Sequence, residues 1–158
     1  MQSVYIETTV VSYYVARPSR DVIVAARQES TRQLWPKLIS ECECFISLLV
    51  REEAGKGEAE QASLRLSAVE SFAVLETDQS ASDLAAKIIA GCGIPPEYPE
   101  DALHIATAAV NGMDVLVTWN FAHMNNPVTR LKVRQIVEEA GYQCPEICSP
   151  DELLESQL

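Results

Sequence analysis

Long apolar runs and export signals are both missing from this chain. None of its 158 residues belongs to a run of eighteen or more apolar residues, which excludes a typical membrane-spanning helix. The segment from Met1 to Glu7 lacks the basic region and the small-residue cleavage site of a signal peptide. We therefore expect a cytoplasmic protein without a membrane partner. An apolar fraction of 47% at this length is typical of one globular domain, and we expect residues 1–158 to form it.

The cysteine pattern is unlike that of a disulfide-linked or zinc-binding protein. The number of cysteines is odd and no export signal precedes them, which argues against a disulfide framework. Two pairs lie close in sequence, but neither has CxxC spacing, and neither histidine of the chain is in a zinc-motif register with them. We interpret the cysteines as reduced thiols that are buried or incidental. They are Cys42, Cys44, Cys92, Cys144 and Cys148.

Basic residues are scarce, with 12 Lys and Arg against 23 Asp and Glu and a net charge of −11. Affinity for a nucleic acid comes largely from Lys and Arg at its phosphates, so this balance counts against a polyanionic ligand. A nuclease nevertheless carries acids at its site, and a local basic strip could supply the attraction. We interpret most candidates for such a strip as solvated surface charges; they are Arg17, Arg20, Arg51, Lys56, Arg130, Lys132 and Arg134. The chain also lacks a glycine-rich phosphate loop, which argues against phosphoryl chemistry on a small molecule.

Short apolar runs alternate with helical patterns along the chain. Strands are predicted at Val4–Ile6, Phe72–Leu75, Val115–Val117 and within Cys44–Val50, whose last residues could equally begin a helix. Helix starts are predicted at Asp21, Glu58, Thr77, Pro99 or Glu100, Asn126-Pro127 and Ser149, and Pro36 is expected to kink or divide the first of these helices. Alternation without hairpin signals predicts an α/β protein with a parallel sheet and helices on both faces.

Three carboxylates and an amide lie where apolar segments end or helices begin. Glu7, Glu53 and Asp101 are each at the edge of such a segment, and Asn120 follows the run that ends in Trp119. In an open parallel sheet, ligands gather outside the carboxyl ends of the strands. Two carboxylates about 4 Å apart repel by roughly 4 kcal/mol near a protein surface, so a cluster needs protons or a metal ion. Oxygen ligands of this kind suit Mg²⁺ or Mn²⁺.

Simpler interpretations of these positions stay open. Asp101 is also a favourable acid beside the positive end of a helix. Glu52 competes with Glu53 for the same role. Thr8 and Thr118 could orient the carboxylates through their hydroxyls, but threonine is also simply a good strand residue.

The roles of the histidines and tryptophans also have more than one interpretation. His123 could contact a phosphate or carry a proton, or could make a structural hydrogen bond. His104, one turn beyond Asp101, is interpreted as a histidine at the edge of the core. Trp35 and Trp119 are interpreted as packing residues and not as stacking platforms for bases.

Four segments, in their order and separation, resemble the successive motifs of the PIN-domain family, in particular its VapC-like toxin branch. The resemblance covers nearly the whole chain, and the third and fourth segments are specific when taken together. The segments are Tyr5–Ser12, Ser47–Glu53, Asp101–Ala108 and Leu116–His123.

The resemblance implies a three-layer α/β/α sandwich and cleavage of RNA that depends on Mg²⁺ or Mn²⁺. By motif position it implies that Glu7, Glu53, Asp101 and Asn120 are the catalytic and metal-binding residues. Two of these depart from the usual aspartates: Glu7 is longer by one methylene, and Asn120 keeps an oxygen but loses a charge. The longer side chain of Glu7 should displace the ion from where a shorter ligand would hold it, and the lost charge at Asn120 should weaken metal binding without necessarily abolishing it.

The resemblance also implies partners. A homodimer is expected, together with an antitoxin protein if the chain is the toxin of a type II toxin–antitoxin pair. The two departures and the negative charge leave an alternative open, in which a catalytically weakened PIN-like domain binds RNA or a protein without cutting.

Overall fold

The computed structural model describes residues 1–156. The single domain predicted from the sequence also includes residues 157 and 158, which lie outside the described residues. Strands and helices alternate along it. The strands are β1 Gln2–Ile6, β2 Cys42–Ser47, β3 Ala73–Leu75, β4 Val115–Val117 and β5 Glu146–Cys148. The helices are α1 Thr8–Val15, α2 Val22–Glu41, α3 Leu48–Ala54, α4 Ala59–Ala68, α5 Gln79–Ala90, α6 Pro99–Val110, α7 Pro127–Glu139 and α8 Pro150–Glu155.

The five strands form one parallel sheet in the order β3-β2-β1-β4-β5. From β1 the chain adds β2 and β3 on one side and then β4 and β5 on the other, so the winding direction reverses beside β1. In the pairing of β1 with β4, Ile6 lies opposite Val117, which brings the carboxyl ends of the two strands together. Open α/β sheets bind ligands at such a switch point.

The two strands at the switch point are covered on both faces. Val4, Tyr5 and Ile6 of β1 are fully buried, as are Leu116 and Val117 of β4. Strands covered on both faces have nearly continuous apolar sequences. For this reason β1 and β4 could be predicted from their apolar runs. With helices flanking the sheet, the architecture is the expected α/β/α sandwich. Within residues 1–156, no helix is long and apolar enough to span a bilayer.

Most predicted helix starts are confirmed by their caps. The side chain of Asp21 accepts a hydrogen bond from the Val24 amide, and Asn126 caps α7 just before Pro127. Ser149 and Glu152 form the reciprocal capping box of α8. Of the two outcomes predicted for Pro36, a kink or a division of the helix, the division does not occur in α2. That helix continues through Pro36 to Glu41, because buried residues on both sides of the proline hold it against the core.

Two local predictions need correction. The N-cap of α5 is Asp78 and not Thr77: the Asp78 carboxylate accepts from the Ala81 amide, while the Thr77 hydroxyl lies 3.3 Å from that of Thr107. Strand β5 has no counterpart among the predicted strands. It has only three residues directly after Pro145, too few for an alternating or continuous apolar pattern.

Candidate active site

Glu7 occupies the switch point itself. It follows the last residue of β1 and caps α1, accepting a hydrogen bond from the Thr9 amide. The hydroxyl of Thr118, the residue after β4, donates to Glu7 Oε1 over 2.6 Å, and the Thr9 hydroxyl donates to the same oxygen. Only 4% of Glu7 is exposed. Its carboxylate is therefore held by donors from the start of α1 and from the end of β4, and of the two interpretations left open for Thr118 the structure favours the hydroxyl that orients a carboxylate.

Glu53 reaches the same edge of the sheet from α3. Its Oε1 accepts the Thr8 hydroxyl at 2.6 Å and faces His104 Nε2 at 2.7 Å. Burial alone would raise the pKa of Glu53, but its hydrogen bonds from His104 and Thr8 and the positive charge of His104 bring that pKa below its ordinary value. Glu52 is exposed, which decides between the two adjacent glutamates in favour of Glu53.

A buried chain of hydrogen bonds lies behind Glu53. His104 is 1% exposed, and its Nδ1 lies 2.7 Å from the Tyr5 hydroxyl. That hydroxyl is 2.8 Å from Ser47 Oγ, which also accepts from the amide of Val50 and so caps α3. Strand β1, the end of β2 and helix α6 are thereby tied to one carboxylate. A group behind a ligand that fixes its orientation typically strengthens metal binding.

The charge state of His104 follows from its surroundings. Burial favours the neutral ring, but the hydrogen bond to Glu53 and the negative charges of Glu7, Glu53 and Asp101 outweigh it and raise the pKa of His104. The cluster consequently contains a group that can carry a positive charge between carboxylates.

Glu7, Glu53 and His104 form the group that could hold a metal ion. Each offers one donor atom, and these atoms lie within 4.8 Å of one another. Oε2 of Glu53 has no hydrogen bond within the described residues, and Oε2 of Glu7 accepts only the Thr9 amide, so both carboxylates keep lone pairs for a ligand. Two carboxylates with open oxygens fit a hard divalent cation. Two of the residues predicted from the sequence as metal ligands, Glu7 and Glu53, therefore belong to the group of side chains that could hold a metal ion in the structure.

Asp101 lies beside this group and not within it. It is in the first turn of α6, as predicted, and its Oδ2 is 3.3 Å from His123 Nδ1. Burial raises the pKa of Asp101 above its ordinary 3.8, although the nearby Asn120 side chain and the charges of His104 and His123 act in the opposite direction. Asp101 is near enough to His104 and Glu53 for their charges to affect it.

Asn120 connects Asp101 to the loop after β4. Its Oδ1 accepts a hydrogen bond from the His123 amide at 3.0 Å, and its side chain is close enough to Asp101 to act on the pKa of that carboxyl. The ring of His123 stacks on Tyr98 with centroids 3.6 Å apart. One lone pair of the Asn120 carbonyl is thus in use, and its role as a metal ligand stays a prediction. Trp119 and Trp35 are packing residues, since both are almost fully buried.

Sequence reasoning missed the role of His104 and did not consider Tyr5 or Ser47. The buried polar pair of Tyr5 and His104 is separated by 99 residues, and His104 from Glu53 by 51. One signal was available: a histidine one helical turn after Asp101, with apolar residues on both sides of it in the helix, needs a buried partner.

Fold and site together define a parallel α/β protein with an acidic cluster at its topological switch point. A family model described as PIN domain matches residues 4–123, about three quarters of the chain. The chain belongs to the PIN-domain family. The predicted resemblance to that family is confirmed.

A solved structure shows the same fold. It is a chain of the crystal structure of VapBC2 from Rickettsia felis bound to a DNA fragment from their promoter. The similarity covers 94% of this chain and 98% of that one, with a TM-score of 0.59 and 13% sequence identity. No curated protein matches the sequence.

Proposed function

We propose that this protein is an endoribonuclease that hydrolyses RNA phosphodiester bonds with a divalent ion, Mg²⁺ or Mn²⁺. The observation that carries the proposal is the convergence of Glu7 and Glu53 at the switch point of a PIN-domain sheet, with Asp101 beside them. The sequence motifs and the geometry both support Glu7 and Glu53, with Asp101 beside them.

Glu7 and Glu53 would hold the ion, and Asp101 and Asn120 lie beside them. A bound divalent ion lowers the pKa of a coordinated water and neutralises charge that develops on the phosphate. The protein supplies position: the hydroxyls of Thr118 and Thr8 fix the two glutamates before substrate arrives.

Asp101 and His123 contribute differently. Asp101 faces the cluster from the start of α6, where its carboxylate can orient the attacking water. His123, next to it, is partly exposed and can contact a phosphate or pass a proton to the leaving oxygen.

The decisive test replaces one carboxylate by its amide. Purified protein is incubated with mixed RNA and Mn²⁺, and the initial rate of cleavage is compared with that of Asp101→Asn. Loss of one preorganised electrostatic group costs about 100-fold or more, and chelation of the metal should abolish cleavage. Glu52→Gln, an equal change on exposed α3 surface, should leave the rate unchanged. Undiminished cleavage by Asp101→Asn refutes the role given to Asp101, and undiminished cleavage by Glu7→Gln as well refutes the proposed site.

A non-catalytic PIN domain that binds RNA or a protein is the second candidate. One observation favours it: His104, whose pKa its acidic neighbours raise, can carry a positive charge near the two carboxylates, where a metal ion would otherwise be needed. Calorimetric titration separates the two functions. Saturation by Mn²⁺ in the millimolar range supports the nuclease, and no binding heat under those conditions supports the alternative.

The biological setting proposed for the nuclease is a toxin–antitoxin pair, in which the protein is the toxin, forms a homodimer and binds an antitoxin. The fold shared with a chain of the VapBC2 structure supports this setting. Co-expression with the product of a small neighbouring gene, followed by size-exclusion chromatography, tests it; separate elution of the two proteins contradicts it.

A further inference from the structure

A chain of net charge −11 needs a local positive group if it is to hold RNA at an acidic site. Most of its arginines are already occupied. Three pair with carboxylates, and two others donate to backbone carbonyls; these are Arg17, Arg130, Arg134, Arg32 and Arg65. Three of the candidates for a basic strip, Arg17, Arg130 and Arg134, are thus paired with acids.

Arg27 is different, because aromatic rings and not acids hold its guanidinium. Its Cζ lies 5.1 Å from the ring centroid of Phe121 and 5.6 Å from that of Trp119. Within residues 1–156 the guanidinium has no hydrogen bond and no ion pair. Arg27 is half-buried on α2, so the two rings restrict its position while its N–H donors stay unused.

The position of this group relative to the active site follows from the chain. Trp119 and Phe121 flank Asn120, whose side chain lies near enough to Asp101 to lower the pKa of that carboxyl. The Trp119 amide donates to the hydroxyl of Thr9, which in turn holds Glu7. Arg27 therefore contacts the same loop that presents Asn120 to the acidic cluster. Phe121, 38% exposed beside it, leaves part of its ring open to solvent.

We propose that Arg27 binds a backbone phosphate of a single-stranded RNA substrate next to the scissile bond, with the exposed ring of Phe121 against the adjoining nucleotide. The inference rests on the proposed nuclease function and names the contact that holds its substrate. A planar guanidinium with free donors matches phosphate oxygens, and a stacked one loses little freedom on binding. An aromatic ring accepts any base on its face, so the contact carries no sequence preference.

Binding and cleavage are measured separately. Affinity for a short fluorescent RNA is determined by anisotropy at several salt concentrations, in the Asp101→Asn background that does not cut. Arg27→Ala should weaken binding about tenfold and reduce the magnitude of the salt slope by roughly 0.7, as expected for one lost phosphate contact on a single strand. In the cleaving protein the same change should raise KM and leave kcat nearly unaltered.

Lys37→Ala is the matched control. Lys37 is exposed on the same helix, ten residues and about 15 Å further along, and its replacement removes the same charge. Arg27→Gln, which keeps most of the side-chain stem, serves if Arg27→Ala does not fold.

The outcomes separate this inference from the proposed function. Equal affinity and equal salt slope for the Arg27 and Lys37 variants overturn the inference, even if the wild type cleaves RNA. If the wild type does not cleave but its RNA binding depends on Arg27, the nuclease proposal fails and the phosphate contact stands. A protein that binds no RNA overturns both.

Discussion

At the scale of single residues, the site depends on hydroxyl groups that hold carboxylates. Thr118 and Thr9 donate to Glu7, and Thr8 donates to Glu53. Each hydroxyl belongs to a residue directly after a strand or in the first turn of a helix. The sequence could suggest Thr8 and Thr118 for this role, because Thr8 directly follows Glu7 and Thr118 directly follows a predicted strand.

The Tyr5 hydroxyl acts on Glu53 through His104, and its loss should weaken metal binding. Tyr5→Phe removes the partner of His104 Nδ1, so the imidazole is no longer fixed in the orientation that places Nε2 on Glu53. We expect Mn²⁺ affinity to fall about tenfold, a typical cost of removing such a support, with about 1 kcal/mol of lost stability. Calorimetric titration measures the affinity and urea unfolding the stability.

Tyr142→Phe is the control for the loss of a tyrosine hydroxyl, because Tyr142 packs against the core away from this chain of hydrogen bonds. If both variants bind Mn²⁺ as the wild type does, Tyr5 has only a packing role.

The raised pKa of His104 predicts a pH-dependent contribution to stability. A histidine that gains affinity for its proton on folding stabilises the protein fully below its ordinary pKa of 6.5, and this contribution is lost as the pH rises through the raised value. With a chelator present to remove metal ions, the wild type should be more stable than His104→Gln at pH 6. This difference in unfolding free energy should become smaller as the pH rises to 9. Urea unfolding across this range measures it.

The same unfolding measurements on His123→Gln provide a control, because His123 is the more exposed histidine of the site. A wild-type advantage over His104→Gln that stays constant or grows with pH would be incompatible with a charged His104 among the carboxylates.

At the scale of secondary-structure elements, buried strands and capped helices were predictable because their signals are local. Val115–Val117 is an uninterrupted apolar run, and Asn126-Pro127 combines a cap with a proline in the first helical position. The errors arose where tertiary packing decides. Pro36 lies within a helix that the core holds together, and β5 exists only because β4 offers it an edge.

The start of α5 gives a direct test at this scale. Asp78→Ala removes the cap on the Ala81 amide and should lower the free energy of unfolding by about 1 kcal/mol. Thr77→Ala should cost less, because its hydroxyl makes only a long contact with Thr107. Chemical denaturation of the two variants ranks the residues, and a larger loss for Thr77→Ala would place the cap one residue earlier.

At the scale of the whole molecule, the position of the site follows from the reversal of winding at β1. The sequence predicts which acids follow strands, because apolar runs mark the strand ends. It does not predict which acids meet, since that depends on β1 lying between β2 and β4. For this reason the sequence predicts Glu7, Glu53 and Asp101 as site residues. It does not predict that Glu7 and Glu53 form a group with His104 and that Asp101 lies outside that group. The single domain over residues 1–158 stays a prediction.

The central claim is that Glu7 and Glu53 hold a divalent ion at the switch point. Diffraction from crystals soaked in Mn²⁺, at a wavelength where manganese scatters anomalously, tests it most directly. We expect an anomalous peak within coordination distance of one carboxylate oxygen of each glutamate, and no such peak in crystals of Glu7→Gln. A wild-type site without a peak at saturating Mn²⁺, or a peak bound only by other residues, would contradict the claim.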